Sequence, residues 1–381
     1  MSDHTEPPVE ALVETLHSSQ HDEYRAVVEQ LTALGPVAIG PLLASCAGGS
    51  KETRSVFRCL ARMGEPAVAA LQGIRRHGPG RLRRHALQAL AELGGADALS
   101  GEDRLAVERL IRLKLMDEKP TTRKHVRLPS ASWLAIPADQ VPGAVRALRL
   151  HDLRPATLAM GVSAAYGDHR DSMPYRTTDG KRETAYRIFI TPDMNGWRLI
   201  YGRMFIYENG GIDLAIQLSS ACGQAHFYDI DDGNDSRAWW IAENGKTRRG
   251  YSNHWHSGGI GEPLPFEVTA AEFRASEKEM DEEEGIASDD DDFYDDAFDD
   301  DDFFNDVLDD DDEEGSHRDT TEERPAEGRP IVPPETDPLD VAYEMSVPPY
   351  ALSGLTLHDH GWLATTATEL PNSRFPGALS L

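Results

Sequence analysis

The chain has 381 residues, 39% of them hydrophobic, and a net charge of −28, which gives length for two or three domains and apolar content for ordinary cores. It contains no run of 18 apolar residues, so no membrane-spanning helix is expected. Residues 277–314 hold 23 Asp or Glu against one Lys, a charge of −22, which leaves −6 for everything else; a strongly acidic character for the folded part is thereby excluded.

The start, MSDHTEPPVEALVE, is acidic and polar and unlike a secretory leader. Cys46, Cys59 and Cys222 are scattered, without CxxC or Cys–His zinc spacing. Together these features predict a cytoplasmic protein with reduced, buried thiols.

Residues 7–116 read as helices, and a repeat organises them. Arg25, Arg54 and Arg84 each stand ten residues before a glycine, at Gly35, Gly64 and Gly94. Between them the apolar positions align as Val27, Val28, Leu31 and Leu34, then Val56, Phe57, Leu60 and Met63, then Ala86, Leu87, Leu90 and Leu93. That spacing draws one stripe on a helix closed by a glycine C-cap. A second apolar pattern follows each glycine: Ala38, Ile39, Leu42 and Leu43; Ala67, Val68 and Leu71; then a fading Asp97, Ala98 and Leu99. A last helix from Asp103 to Met116 carries Leu105, Leu110, Ile111, Leu113 and Leu115. LTALGPVAIGPLL, LARMGEPAVAAL and LAELGGADAL resemble short HEAT-like, armadillo-type repeats, and the resemblance implies a solenoid in which the repeated Arg braces neighbouring units. Three such units are near the minimum for stability, so the array is expected to lean on the following domain.

Residues 119–131 read as a polar, basic linker, and 132–276 as an α+β domain with a mainly antiparallel sheet. Strands are predicted at 132–136, 186–191, 196–202, 224–230, 237–243 and 247–252, helices near 138–150, 155–165 and 210–223, and a loop at 166–184. Adjacent Trp239 and Trp240 must point to opposite faces of their strand, so the outer face needs a cover; Arg248, Arg249 and Asp213 are polar candidates near it. WLAIP, FITPDMNGWRLIYG, LSSACGQAHFYDI, WWIAENG and GEPLPFE resemble an uncharacterised family of bacterial cytosolic domains. That resemblance implies an immunity-like or accessory role, and a closing segment at 337–381 that completes the domain and opens with the helical DPLDVAYEMSVPPYAL.

Residues 277–336 form an acidic and Pro/Glu-rich insertion, expected to be disordered. It contains a tandem repeat, DDDDFYDDAF (289–298) and DDDDFFNDVL (299–308). Phe293, Tyr294, Phe298, Phe303 and Phe304 punctuate the acids, a composition suited to an interaction arm for a basic protein partner; the alternative is a solubilising spacer. Arg75, Arg76, Arg81, Arg83 and Arg84 form a basic cluster on the repeats, to which the arm could return as an intramolecular latch, or which could hold nucleic acid. The mildly acidic folded part argues against nucleic acid.

For chemistry, His254-Trp255-His256 and His358-Asp359-His360 place paired imidazoles for a metal if they lie on strands, with Asp229, Asp231 and Asp232 as oxygen donors. Cys222 with His226 is a conceivable nucleophile pair. GxSxG, P-loop, GxGxxG and HExxH patterns are absent, so no catalytic residue and no cofactor is assigned. The reading is a non-enzymatic binding scaffold or regulator, with a metal-dependent enzyme and a nucleic-acid binder as alternatives.

Overall fold

A computed structural model of the protein describes residues 8–18, 21–46, 50–118, 128–166, 171–253, 259–267, 337–349 and 359–375. The N-terminal part is helical: α1 (Val9–Ser18), α2 (His21–Leu34), α3 (Pro36–Ser45), α4 (Ser50–Met63), α5 (Glu65–His77), α6 (Gly80–Gly94) and α7 (Gly101–Asp117). Val27, Val28, Leu31, Val56, Phe57, Leu60, Ala86, Leu87 and Leu90 are buried in one continuous core with Ile39, Leu42, Leu43 and Leu71 from the intervening helices. Gly35 and Gly64 turn the chain at φ 60° and 64°, a conformation that a Cβ disfavours. The third glycine breaks the pattern: Gly94 stays at φ −136°, and Gly95, at φ 52°, makes the turn. A 3-10 turn at Gly95–Ala98 then replaces the expected second helix. Ser100 caps α7, its Oγ accepting from the Asp103 N–H at 3.2 Å.

The C-terminal part is an antiparallel sheet of nine strands: β1 (Ser132–Pro137), β2 (His151–Ala156), β3 (Ser172–Arg176), β4 (Arg182–Ile190), β5 (Trp197–Tyr201), β6 (Gln224–Asp231), β7 (Ser236–Glu243), β8 (Lys246–Ser252) and β9 (Gly361–Thr365). The order is β2-β9-β4-β5-β1-β6-β7-β8, with β3 attached to β4. Helices cover both faces. On one side lie α8 (Val141–Ala147), α10 (Arg203–Asn209) and α11 (Gly211–Cys222), packed on Leu134, Ile136, Ile188, Ile200, Phe227 and Trp240. On the other lie α9 (Leu158–Tyr166) and α12 (Pro338–Met345), packed on Trp133, Phe189, Tyr201, Tyr228 and Trp239. Trp239 and Trp240 do take opposite faces, and helices of this same domain bury both.

Two sequence expectations need correction, and a third gains an element. The segment read as a helix from 155 holds the end of β2 before α9 begins at Leu158. The supposed loop 166–184 contains the β3–β4 hairpin, paired from Ser172–Tyr186 to Arg176–Arg182. The closing segment contributes β9, which lies between β2 and β4 inside the sheet.

The helical part docks on the sheet part. Ile111 of α7 packs against both cores. Glu118 accepts from the Leu158 N–H at the start of α9 at 2.7 Å, and its other oxygen lies 3.0 Å from His360 Nδ1. Arg154 reaches Glu108 at 3.2 Å, and Arg374 reaches Asp97 at 3.0 Å. Gly95 allows the closest approach: a Cβ there would stand 2.6–2.8 Å from the carbonyl oxygens of Ser373, Arg374 and Phe375.

Candidate functional site

The arginine cluster lies at the junction of α5 and α6. Arg76, Arg81, Arg83 and Arg84 are exposed. Arg75 is half-buried, with Nε 2.6 Å from Asp103 Oδ1, and Arg83 Nε donates to the Gly78 carbonyl at 2.7 Å. Those two arginines brace the α5–α6 turn against α7. On α7, Leu105, Arg109, Arg112, Leu113 and Met116 are exposed and fall on one side of the helix. Leu105 is 71% exposed and Met116 81%. The sequence placed Leu105 and Leu113 among the helix's apolar residues, but Val107, Leu110 and Ile111 supply its core contacts. Lys114 is partly buried beside this stripe; burial and then the nearby Arg84 push its ammonium pKa down, against the pull of Glu92.

Only some of the metal candidates lie among the described residues. His254, His256 and His358 lie outside the described residues, as do Phe293, Tyr294, Phe298, Phe303 and Phe304. His360 is engaged with Glu118, while Asp359 pairs with Arg198 and accepts from the Asp193 N–H at 3.1 Å. Asp229 is bonded by Ser132, and burial raises its carboxyl pKa. Asp231 closes the β6–β7 turn through Gly233 and Asn234, and Asp232 pairs with Arg237. Among the described residues no group of three His, Cys, Asp or Glu converges on a metal position.

Cys222 and His226 are separated by the sheet. Cys222 packs in the α11 layer, where burial pushes its thiol up to about 11. His226 lies on the opposite face, with its ring 4.8 Å from that of Trp197. Burial, then Arg248, lowers its pKa to about 3, so the imidazole is neutral at physiological pH. It belongs to a chain of polar groups: Gln224 Nε2 at 2.9 Å from His226 Nε2, His226 Nδ1 at 3.0 Å from the Tyr228 hydroxyl, and that hydroxyl at 3.0 Å from Ser346 Oγ. Burial likewise raises the thiols of Cys46 to about 11 and of Cys59 to about 12.

That chain ties α12 to the sheet, and a second device acts just before the insertion. Arg249 and Glu267 form an ion pair with both side chains 1% exposed. Arg249 donates through Nε at 3.1 and 3.2 Å and through its terminal nitrogen at 2.9 Å, and also reaches the Gly261 carbonyl at 3.1 Å. Its guanidinium stands 5.7 Å from the Trp239 ring. Thus Arg249 fixes Glu267, Leu264 and Phe266 on the face that also carries α12. Asp337 caps that helix, accepting from the Leu339 N–H at 2.7 Å. The chain therefore leaves for residue 268 and returns at Asp337 on one face of the sheet.

Between α7 and the β2–β9–β4 side of the sheet lies a cavity of about 430 Å³. Leu99, Val107, Ile111, Leu115, Met160 and Leu363 give it apolar walls. Arg104, Arg112, Arg154 and Arg187 line it too, with Glu108 and Asn372. Arg187 is buried; it donates to the Asn372 carbonyl at 3.1 Å, with its guanidinium 4.6 Å from the Phe375 ring. No protein-family model matches this chain, and comparisons with curated proteins and with solved structures find no match. The likenesses to HEAT-like repeats and to a bacterial domain family rest on the quoted motifs alone. Sequence reasoning missed the cavity because its arginines come from α7, β2 and β4, and Asn372 from the 3-10 turn Asn372–Arg374. Nothing in the sequence joins Arg104 and Arg112 to Arg154 or Arg187.

Proposed function

We propose that the protein is a non-enzymatic binding scaffold or regulator whose acidic-aromatic arm captures a basic protein partner. The observation that carries this reading is the anchoring of the arm: Arg249–Glu267 at one end and the Asp337-capped α12 at the other hold its roots on one face of the sheet. An arm with 23 acids in residues 277–314 supplies long-range attraction, and its aromatics supply contact area. The exposed Leu105–Arg109–Arg112–Leu113–Met116 stripe of α7 offers an apolar and basic surface of matching chemistry. The arm occupies it as an intramolecular latch, and a basic partner competes the arm away. In this reading the helical array is a short HEAT-like solenoid and the protein an immunity-like antagonist.

The test is capture of partners from the source cell's lysate by the full chain and by a variant lacking residues 277–314. One dominant basic protein, bound stoichiometrically by the full chain and lost on deletion, is the expected result. Capture unchanged by the deletion, or no stoichiometric partner with either bait, overturns the assignment. For the latch, X-ray scattering of the full chain must show expansion as salt rises, and the deletion variant must not.

A further inference from the structure

We propose that the cavity between α7 and the β2–β9–β4 side of the sheet binds a small amphipathic anion, a carboxylate or phosphate monoester on a short apolar body. Its volume, about 430 Å³, falls within the roughly 300–1,000 Å³ typical of small-molecule sites. The walls match the two halves of such a ligand. Val107, Ile111, Leu115, Met160 and Leu363 offer an apolar surface. Arg104, Arg112 and Arg154 bring basic side chains to the lining against one carboxylate, Glu108; Arg154 already pairs with Glu108 and with Asp152, each at 3.2 Å, and Arg187 borders the cavity but is fully buried and donates to the Asn372 carbonyl. Arg112 is exposed at the rim and has no ion-pair partner among the described residues. Arg104 is also exposed there, its Nε turned to the Ala96 carbonyl at 2.8 Å.

A gap left only by imperfect docking has no reason to gather like charges, because mutual repulsion among the arginines opposes the docking that creates it. A bound anion offsets that repulsion, and the guanidinium fork suits the two or three oxygens of a carboxylate or phosphate.

The experiment is calorimetric titration of the full chain with octanoate and octyl phosphate below their micelle concentrations, with octanol and octylammonium as neutral and cationic counterparts. Saturable one-to-one binding of the anions, at least tenfold tighter than octanol or octylammonium, is expected. Preference for octyl phosphate over octanoate would identify a phosphate ligand, and the reverse a carboxylate. Arg112→Glu, at the exposed rim, should weaken anion binding at least tenfold, and Leu115→Trp should block it by filling the cavity. Far-UV circular dichroism of both variants must match the parent; if Leu115→Trp fails to fold, Arg112→Glu alone decides. Equal binding of octylammonium, anion binding unchanged by Arg112→Glu, or no binding up to millimolar concentration overturns the proposal. Because Arg112 also belongs to the α7 stripe assigned to the acidic arm, the titrations are repeated with the variant lacking residues 277–314, where the same loss on Arg112→Glu is expected and its absence overturns the cavity assignment.

Discussion

Glu267→Ala is the most severe single test of how the sheet part anchors the acidic insertion. The substitution removes the carboxylate that, among the described residues, pairs with the Arg249 guanidinium and leaves that cation in a site with 1% exposure. Breaking one partner of a buried pair costs about 3–5 kcal/mol, whereas replacing both partners by apolar groups is near neutral. Arg249 also donates to the carbonyls of Ile260 and Gly261, but both residues are exposed, so water can replace it there. Glu267→Ala should therefore lower stability by about 3–5 kcal/mol, and the double variant Arg249→Met with Glu267→Leu by less than about 2 kcal/mol. Thermal unfolding by circular dichroism reads the difference, at roughly 2–4 °C per kcal/mol for a domain of this size. Hydrogen exchange adds location: amides of Leu264 and Glu267 should lose protection in the single variant, because Leu264 N–H donates to Glu267 and Glu267 N–H to the Leu264 carbonyl. If the single variant loses under about 1 kcal/mol, or the double variant loses as much as the single, the charge pair is not what holds this segment.

Three further outcomes follow from named contacts. His226 has its pKa lowered from 6.5 to about 3 in the folded state, so unfolding takes up a proton below pH 6.5; stability from this group is intact above 6.5 and drains as pH falls toward 3. The urea midpoint of the parent should therefore drop more between pH 7 and 4.5 than that of His226→Gln, and identical slopes would sink the assignment. Gly35→Ala and Gly95→Ala both force a side chain into a positive-φ conformation worth about 1–3 kcal/mol, but only Gly95 also faces three carbonyl oxygens at 2.6–2.8 Å. Gly95→Ala should thus be the more destabilising in thermal melts, and equal losses would show that the close approach is unimportant. Glu118→Ala removes the acceptor at the first turn of α9 and the partner of His360, so it should cost about 1 kcal/mol and speed proteolytic cleavage between the two parts; unchanged cleavage would refute a docking role.

Strong periodicity made some of the fold legible and weak periodicity hid the rest. WLAI, YRIFI and WRLIY are dense in β-branched and aromatic residues, and they became β1, β4 and β5. HDLRPA and SMPYR each carry a proline and charged residues, so neither reads as a strand alone; pairing makes them strands, β2 with β9 and β3 with β4. β9 is short, and its partners Arg187–Ile190 lie far away in sequence. The repeat correctly marked the buried stripe of α2, α4 and α6. It misassigned the third turn: Gly94 and Gly95 are adjacent, and it is Gly95, packed against Ser373–Phe375, that takes the positive φ. Alternation of side chains fixed the opposed faces of Trp239 and Trp240, but not which helices cover them.

The candidate site was hidden for a related reason. Local sequence can show that a residue is basic, apolar or acidic; it cannot show which surfaces meet. α7 illustrates the point, because it is apolar on nearly every side. Val107 and Leu110 face the helical core, Ile111 touches both cores, Leu115 lines the cavity, and Leu105 and Met116 face outward. A helix on the edge of an isolated array would need only one apolar side. That α7 has three is explained by a helix serving three surfaces at once: its own core, the sheet it docks on, and an outer stripe. The first two are occupied in the structure. The third leaves Leu105, Leu113 and Met116 exposed along one side beside Arg109 and Arg112, and a contiguous apolar patch rimmed by charge is the kind of surface that marks an interaction site. On that argument the outer stripe of α7, rather than the arginine cluster at the α5–α6 turn, is where docking of the acidic arm should be sought first.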